Sequence, residues 1–401
     1  MIPLVSAAQN DEGGIEVVDV SGPLDASALE FMSTSIERAA ESGQVLAVLQ
    51  INSRAVLDET ALRDLAATVQ DPPLPVAVWV GPAPAVAYGG VNYLVSSADH
   101  KAISPGSEIG LVSPLIAGDE GSLLASAIDE RIPTDGVLSA EETGFDLQPS
   151  IRQYLQDLDG ETFATATGPI VVETLVPFED GVTLKTVTFS QPGFGTRFFR
   201  LAVTPEAAFF FLVVGLTIAS FEFFAIGPGM AAGVAAVSLL LAGWGTVNLP
   251  VRPWAVALAV LGWAILTAAY QRGGVLALTV IGATMLQIAG VFFVDGSGQI
   301  DPRWYFVLPS VLAVLFFFLL AMPTVQRARF STQTIGRDGL IGEMGLAVSE
   351  FNPDGVVEVR GARWRATAHR EAGLAQGSAV TVAGVDGLFL EVEPVNVDRE
   401  N

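Results

Sequence analysis

The chain has 401 residues, 51% of them hydrophobic and only 16% charged, with a net charge of -23. That is too apolar for an ordinary soluble protein and too acidic for a nucleic-acid binder. Cysteine is absent, which excludes disulfides, thiolate catalysis and Cys-ligated metal. The only histidines, His100 and His369, lie far apart in sequence, leaving little material for a metal site or a Ser-His-Asp triad; no metal and no cofactor is expected.

The charge is unevenly spread. Residues 1–204 carry 28 acidic against 9 basic residues. From Ala207 to Pro323 the only charges are Glu222, Arg252, Arg272, Asp295, Asp301 and Arg303. This contrast divides the chain into an acidic N-terminal half (1–204), a membrane block (205–325) and a small C-terminal domain (335–396).

At the N-terminus, Val5-Ser6-Ala7-Ala8 has the small-residue look of the end of an export signal, although a full apolar core is lacking. Ile15–Val20 is a β-branched run closed by Ser21-Gly22-Pro23. Asp25 is placed to cap a helix whose apolar face runs through Leu29, Met32, Ile36 and Ala39. Val45–Ile51 and Val76–Val80 are continuous apolar runs, as strands covered on both faces require. A second helix fits Glu59–Val69, ended by Asp71-Pro72-Pro73. The βαβαβ rhythm predicts an α/β domain. Residues 161–190 read as a β-hairpin appendage around Asp180-Gly181.

Five spans are expected, at Ala207–Ile226, Gly229–Val247, Pro253–Tyr270, Gly274–Val294 and Trp304–Met322. Each is near the ~20 residues that cross ~30 Å of hydrocarbon; the second is short and rich in small residues, so four spans stay open. Arg327, Arg329 and Arg337 follow the last span and mark that end as cytoplasmic. The acidic Asp295–Arg303 loop and the N-terminal half then lie outside, against a mild counter-signal from Arg197 and Arg200. Beyond Arg337, five short runs with Gly- and Asp-rich turns predict a small closed barrel of the OB type.

These last segments resemble a known family. Leu340–Ala347, Asn352–Val357, Gly361–Ala366 and Gly377–Leu388 are similar to the C-terminal barrel of NfeD-type proteins, and Phe221-Glu222-Phe223-Phe224-Ala225-Ile226-Gly227-Pro228-Gly229 to the family's first membrane turn. The N-terminal half resembles the ClpP/crotonase-like domain of the long members, through Val17–Asp25, Ser97-Ala98-Asp99, Ala102–Gly110, Ser139–Gly144 and Leu158-Asp159-Gly160. The resemblance implies a membrane-bound serine endopeptidase, in which a lysine kept neutral by burial activates a serine and backbone N–H groups hold the oxyanion. It also implies stomatin/flotillin-type membrane proteins as partners, a role in membrane organisation or quality control, and residence in the plasma membrane. A homo-oligomer is expected.

The sequence departs from that pattern at three places. Where the family serine precedes a helix-opening Gly, this chain has Tyr88-Gly89-Gly90. Its oxyanion turn carries Asn52-Ser53-Arg54 in place of a Pro-Gly-Gly type, and without glycine an inward-turned backbone is harder to form. The only lysines, Lys101 and Lys185, do not sit where the family lysine does. The expectation is therefore a pseudo-protease scaffold with no catalytic residues, the alternative being an active membrane serine endopeptidase. Ser53 and Ser104 read as turn residues. Glu222, with Gly227, Pro228 and Gly229, reads as a structural motif accepting N–H groups at the next helix start, ion conduction being the sharper alternative. Arg360, Arg363, Arg365 and Arg370 are interleaved with Glu358 and Glu371, which suits a solvated barrel face better than a single-strand groove.

Overall fold

The computed structural model describes residues 13–118, 128–178, 181–224, 229–324, 338–368 and 374–395. The signal-like Val5–Ala8, Gly227, Pro228, the arginines at 327, 329 and 337, and Arg370 and Glu371 lie outside the described residues. The chain forms two compact units, residues 1–323 and 324–401.

In the first unit, a six-stranded parallel sheet is built from β1 (Ile15–Ser21), β2 (Leu46–Asn52), β3 (Val76–Val80), β5 (His100–Ile103), β8 (Asp146–Leu147) and β13 (Val187–Ser190). Their order is β13-β1-β2-β3-β5-β8. The central strands β2 and β3 are almost wholly apolar and buried because both of their faces are covered. Ala47, Leu49, Ile51, Val78 and Val80 pack in one core with helices α1 (Ala26–Glu41), α2 (Glu59–Gln70) and α3 (Val91–Ser97). Alternate residues Leu46, Val48, Ala77 and Trp79 pack on the other face with Tyr154 and Leu155 of α4 (Ile151–Asp157). A small second sheet joins β4 (Val86–Tyr88), β6 (Glu108–Gly110) and β7 (Val137–Ser139).

Two local readings change. β9 (Thr162–Phe163) pairs with β10 (Ile170–Val171), and β11 (Leu175–Phe178) with β12 (Gly181–Leu184), as hairpins. The last strand, β13, instead joins the main sheet parallel to β1. An edge strand with unpaired N–H groups is a liability, and β13 covers that edge. Asp25 occupies the N-cap position of α1 but makes no capping bond. Its carboxylate accepts from Ser27 Oγ at 2.6 Å and pairs with Arg200 Nε at 3.4 Å. Arg200 closes the short helix α5 (Phe194–Arg200) and also donates to the carbonyls of Ser21 and Pro23, each at 3.0 Å. This arginine therefore ties the juxtamembrane helix to the β1–α1 turn, a tertiary demand that overrides local capping.

The membrane block contains α6 (Pro205–Phe224), α7 (Met230–Asn248), α8 (Pro253–Gln271), α9 (Leu276–Val291) and α10 (Trp304–Phe316), the last running on into a π-helical turn at Phe317–Ala321. Four of these segments are long and apolar enough to cross a membrane, at Pro205–Glu222, Met230–Asn248, Pro253–Gln271 and Trp304–Thr324. The expected span at Gly274–Val294 is shorter: α9 has 16 residues, or about 24 Å at 1.5 Å per residue. It still returns the chain to the end where α8 begins, where Val251 bridges Val294 and Asp295 N donates to Pro250 O. Gly262 and Gly282 let α8 and α9 approach closely: a Cβ on Gly282 would lie 2.9 Å from Gly262 O. Trp263 Nε1 donates to Ser220 Oγ at 3.0 Å, tying α8 to α6.

The second unit is a closed barrel in the order β14-β15-β16-β18-β17. The strands are β14 (Met344–Ala347), β15 (Asp354–Val359), β16 (Ala362–Ala368), β17 (Ala379–Asp386) and β18 (Phe389–Pro394). Its core holds Val357, Val359, Ala366, Val380, Leu390 and Val392. Closure removes the sheet edges. Arg360 pairs with Glu343, and the Arg365 guanidinium lies 4.8 Å from the Phe389 ring centroid.

Candidate functional site

Parallel sheets place functional groups at the carboxyl ends of their strands. Here those ends face the membrane block. β1 ends at Gly22-Pro23 and β2 at the Asn52–Ala55 turn, and both line a cleft of about 450 Å³. Its other wall is membrane-derived: Pro205 and Glu206 open α6, while Gln299, Asp301 and Arg303 belong to the loop before α10.

The Asn52–Ala55 turn is held by hydrogen bonds to Val86 and between Ser53 and Ala55. Ser53 N donates to Val86 O at 2.8 Å, and Asn52 Oδ1 accepts from Val86 N at 3.1 Å. Ser53 is buried, donates its hydroxyl to Ala55 O at 3.0 Å and accepts from Ala55 N at 3.4 Å. Its hydroxyl is a turn staple, with no base beside it among the described residues.

Gly89 opens the helical segment with φ +60°, and a Cβ there would lie 2.7 Å from Gln299 Oε1 and 3.0 Å from its Nε2. The Gln299 side chain thus fills the space that a side chain at position 89 would need. It is buried, and its Nε2 donates to Leu111 O at 2.9 Å and Pro114 O at 2.7 Å. Gly90 is equally enclosed, with a Cβ position 2.7 Å from Leu115 O.

Tyr88 is buried and donates its hydroxyl to Glu108 Oε2 at 2.5 Å. Burial first, then this bond and the Glu108 charge, push the phenol up to about 12, against the pull of Arg54 and Arg303. A phenol held protonated in this way is a hydrogen-bond donor, not a nucleophile at neutral pH.

The remaining candidate groups are elsewhere. Lys101 faces Asp129, 3.8 Å from Oδ2, and Lys185 lines a separate groove beside Val45 and Ile170. Ser96 Oγ accepts from Asp129 N and Ser97 Oγ donates to Tyr93 O. Ser104 is buried in a turn closed by Ser107 N. His100 packs on Phe163, its Nε2 3.1 Å from Thr162 O. Among the described residues, the cleft brings no serine–lysine or serine–histidine pair together.

Residues 206–322 match the NfeD integral membrane domain, and residues 337–394 match the NfeD-like C-terminal, partner-binding domain. The chain thus carries both an NfeD membrane domain and an NfeD-like C-terminal domain. The chain is 23% identical over 369 residues to the membrane-bound protease PH1510 of Pyrococcus horikoshii, covering 83% of this chain and 82% of that protein. Among solved structures it is similar to the 1510-N membrane protease specific for a stomatin homolog from the same organism (17% identity, 46% of this chain, 96% of that chain, TM-score 0.37). It is also similar to the C-terminal domain of stomatin operon partner protein 1510-C (38% identity, 15% of this chain, 94% of that chain, TM-score 0.14).

In the NfeD membrane domain of this chain, Glu222 Oε1 accepts from Ala232 N at 3.0 Å, in the first turn of α7. Gly229 precedes that helix with φ +81°. The carboxylate therefore meets the positive end of the next helix.

Sequence reasoning passed over Gln299, Glu206 and Arg303 as site residues. The available signal was the polarity of Asp295–Arg303 inside an otherwise apolar block. Nothing local ties that loop to a glycine some two hundred positions earlier.

Proposed function

We propose that this NfeD protein is a non-catalytic membrane scaffold, a pseudo-protease that acts with a stomatin/flotillin-type membrane protein in membrane organisation or quality control. The observation that carries the reading is the Gly89–Gln299 contact: the position where the resemblance expects the nucleophile region has no side chain, and Gln299 takes its space. The occupied N–H groups of Ser53 and Ala55 and the remoteness of both lysines support it. The partner-binding domain matched at residues 337–394 supports recruitment of another protein through the barrel.

The reading includes a plasma-membrane location with the N-terminal domain outside, the barrel in the cytoplasm, and a homo-oligomer. The arginines that follow the last span support the sidedness.

The second reading is a membrane-bound serine endopeptidase, favoured by the similarity over 83% of the chain to a membrane-bound protease. A fluorophosphonate probe and a casein-like substrate, applied to the full chain in detergent, separate the two. The scaffold predicts no labelling and no cleavage; labelling of one serine, abolished by its change to Ala, overturns it. Loss of a co-purifying membrane protein on deletion of residues 335–396 is the expected positive result.

A further inference from the structure

The cleft between the sheet ends and the membrane block holds two guanidinium groups that the scaffold reading leaves unused. Arg54 sits on the Asn52–Ala55 turn and Arg303 immediately precedes α10, and both line the same cavity. Both are exposed, and among the described residues neither guanidinium lies within 4 Å of a carboxylate, Arg303 Nη1 donating instead to the Tyr305 hydroxyl at 2.9 Å. The nearby acids are turned to other work. Asp301 accepts from Gly296 N at 3.0 Å and Gly298 N at 2.8 Å, and Glu206 Oε1 faces the Arg303 backbone N at 3.4 Å. Both arginines also act on the Tyr88 phenol, so their charges converge on one region.

The height of the cleft points to the ligand. Its walls include the first residues of α6 and of α10, which begin two of the candidate spans. Around the same end of the bundle stand exposed Trp254, Phe292, Trp304, Tyr305 and Phe306. Indole and phenol rings of this kind settle at the headgroup level of a bilayer. Beside the arginines the cavity wall is apolar, through Pro205, Ile300 and Phe306. Guanidinium groups match phosphate oxygens in geometry and charge, and about 450 Å³ is within the range of small-molecule sites.

We propose that this cleft binds the headgroup phosphate of a glycerophospholipid between Arg54 and Arg303, with the glycerol end against Ile300 and Phe306. The assignment does not rest on whether the N-terminal domain is catalytic. It makes the N-terminal domain a reader of the outer face of its own membrane region.

The test uses the full chain, stripped of lipid in detergent and titrated with phosphatidylglycerol, phosphatidylethanolamine, diacylglycerol and inorganic phosphate, with bound lipid counted by native mass spectrometry. The wild type is expected to take one phospholipid in preference to diacylglycerol. The double variant R54Q/R303Q is expected to lose about tenfold in phospholipid affinity, with diacylglycerol unchanged. R54K/R303K is expected to fall between, and R252Q, whose arginine pairs with Asp295 at 3.0 Å, to match the wild type. Thermal melting identifies any variant that fails to fold, in which case the exposed single change R54Q carries the comparison. Equal phospholipid binding by wild type and variant overturns the proposal, as does diacylglycerol binding as well as phospholipid. Displacement of the lipid by equimolar inorganic phosphate, or by a peptide carboxylate, assigns the cleft to a soluble anion and overturns it as well.

Discussion

Replacing Gln299 with Ala tests the contact that joins the two halves of the first unit. The wild-type side chain donates two hydrogen bonds, to Leu111 O and Pro114 O, and fills the space over Gly89. Truncation leaves both carbonyls facing a methyl group. A hydrogen bond contributes ~1 kcal/mol net, and an orphaned buried partner costs ~1–3 kcal/mol, so the expected loss is about 2–4 kcal/mol, toward the lower value if water enters from the cleft. The converse change, Gly89→Ala, introduces a Cβ 2.7 Å from Gln299 Oε1 on a backbone at φ +60°. The left-handed conformation alone costs ~1–2 kcal/mol, and the clash adds to it. In the double variant the clash is gone and the backbone strain and the lost hydrogen bonds are left, so the two changes cost less together than their separate effects predict. Denaturant unfolding of the full chain in detergent measures the four corners of this cycle. Limited proteolysis at the Asp295–Arg303 loop reports separately on undocking. A loss below ~0.5 kcal/mol for Gln299→Ala, with an unchanged cost of Gly89→Ala in both backgrounds, refutes the reasoning.

Arg200→Ala leaves the buried Asp25 carboxylate without its charged partner and removes a donor from two carbonyls, so a loss of about 3 kcal/mol is expected in the same unfolding assay, partly restored by Asp25→Asn. Gly282→Ala puts a methyl group 2.9 Å from the backbone of α8, which has no flexible end to give way; a loss of about 1–3 kcal/mol is expected in detergent melts. Gly233→Ala, which meets nothing within 4 Å, is the neutral control. Asp129 is held down at about 2, chiefly by its hydrogen bond to Arg131. Because its folded value is depressed, its contribution is present above the ordinary carboxylate value and is lost as pH falls from about 4 to about 2. Asp129→Asn is expected to flatten that part of the stability–pH curve by lowering stability at neutral pH, with variant and wild type converging as pH falls to about 2.

Much of the architecture was legible because it rests on short-range pattern. The apolar runs at Val45–Ile51 and Val76–Val80 are strands with both faces covered, as their lack of alternation requires. The Gly- and Asp-rich turns after residue 340 mark the five strands of the barrel. Long apolar segments announce membrane helices through the cost of burying bare backbone in lipid. Pattern was less informative where partners are distant. β13 reads as part of a hairpin until the open edge of β1 is seen, and Asp25 reads as a cap until Arg200 arrives from 175 positions away.

The sequence by itself determined that the chain is a membrane protein with an α/β domain before its helices and a barrel after them, because periodicity and hydropathy are local properties. It also showed glycines and a tyrosine where the family resemblance expects the nucleophile region. Only the tertiary structure decided what fills that space. Gln299 reaches Gly89 because the loop before α10 folds back onto the sheet ends, and the same loop brings Arg303 to the cleft of Arg54. Such a contact depends on how whole elements pack, and no spacing of residues along the chain encodes it.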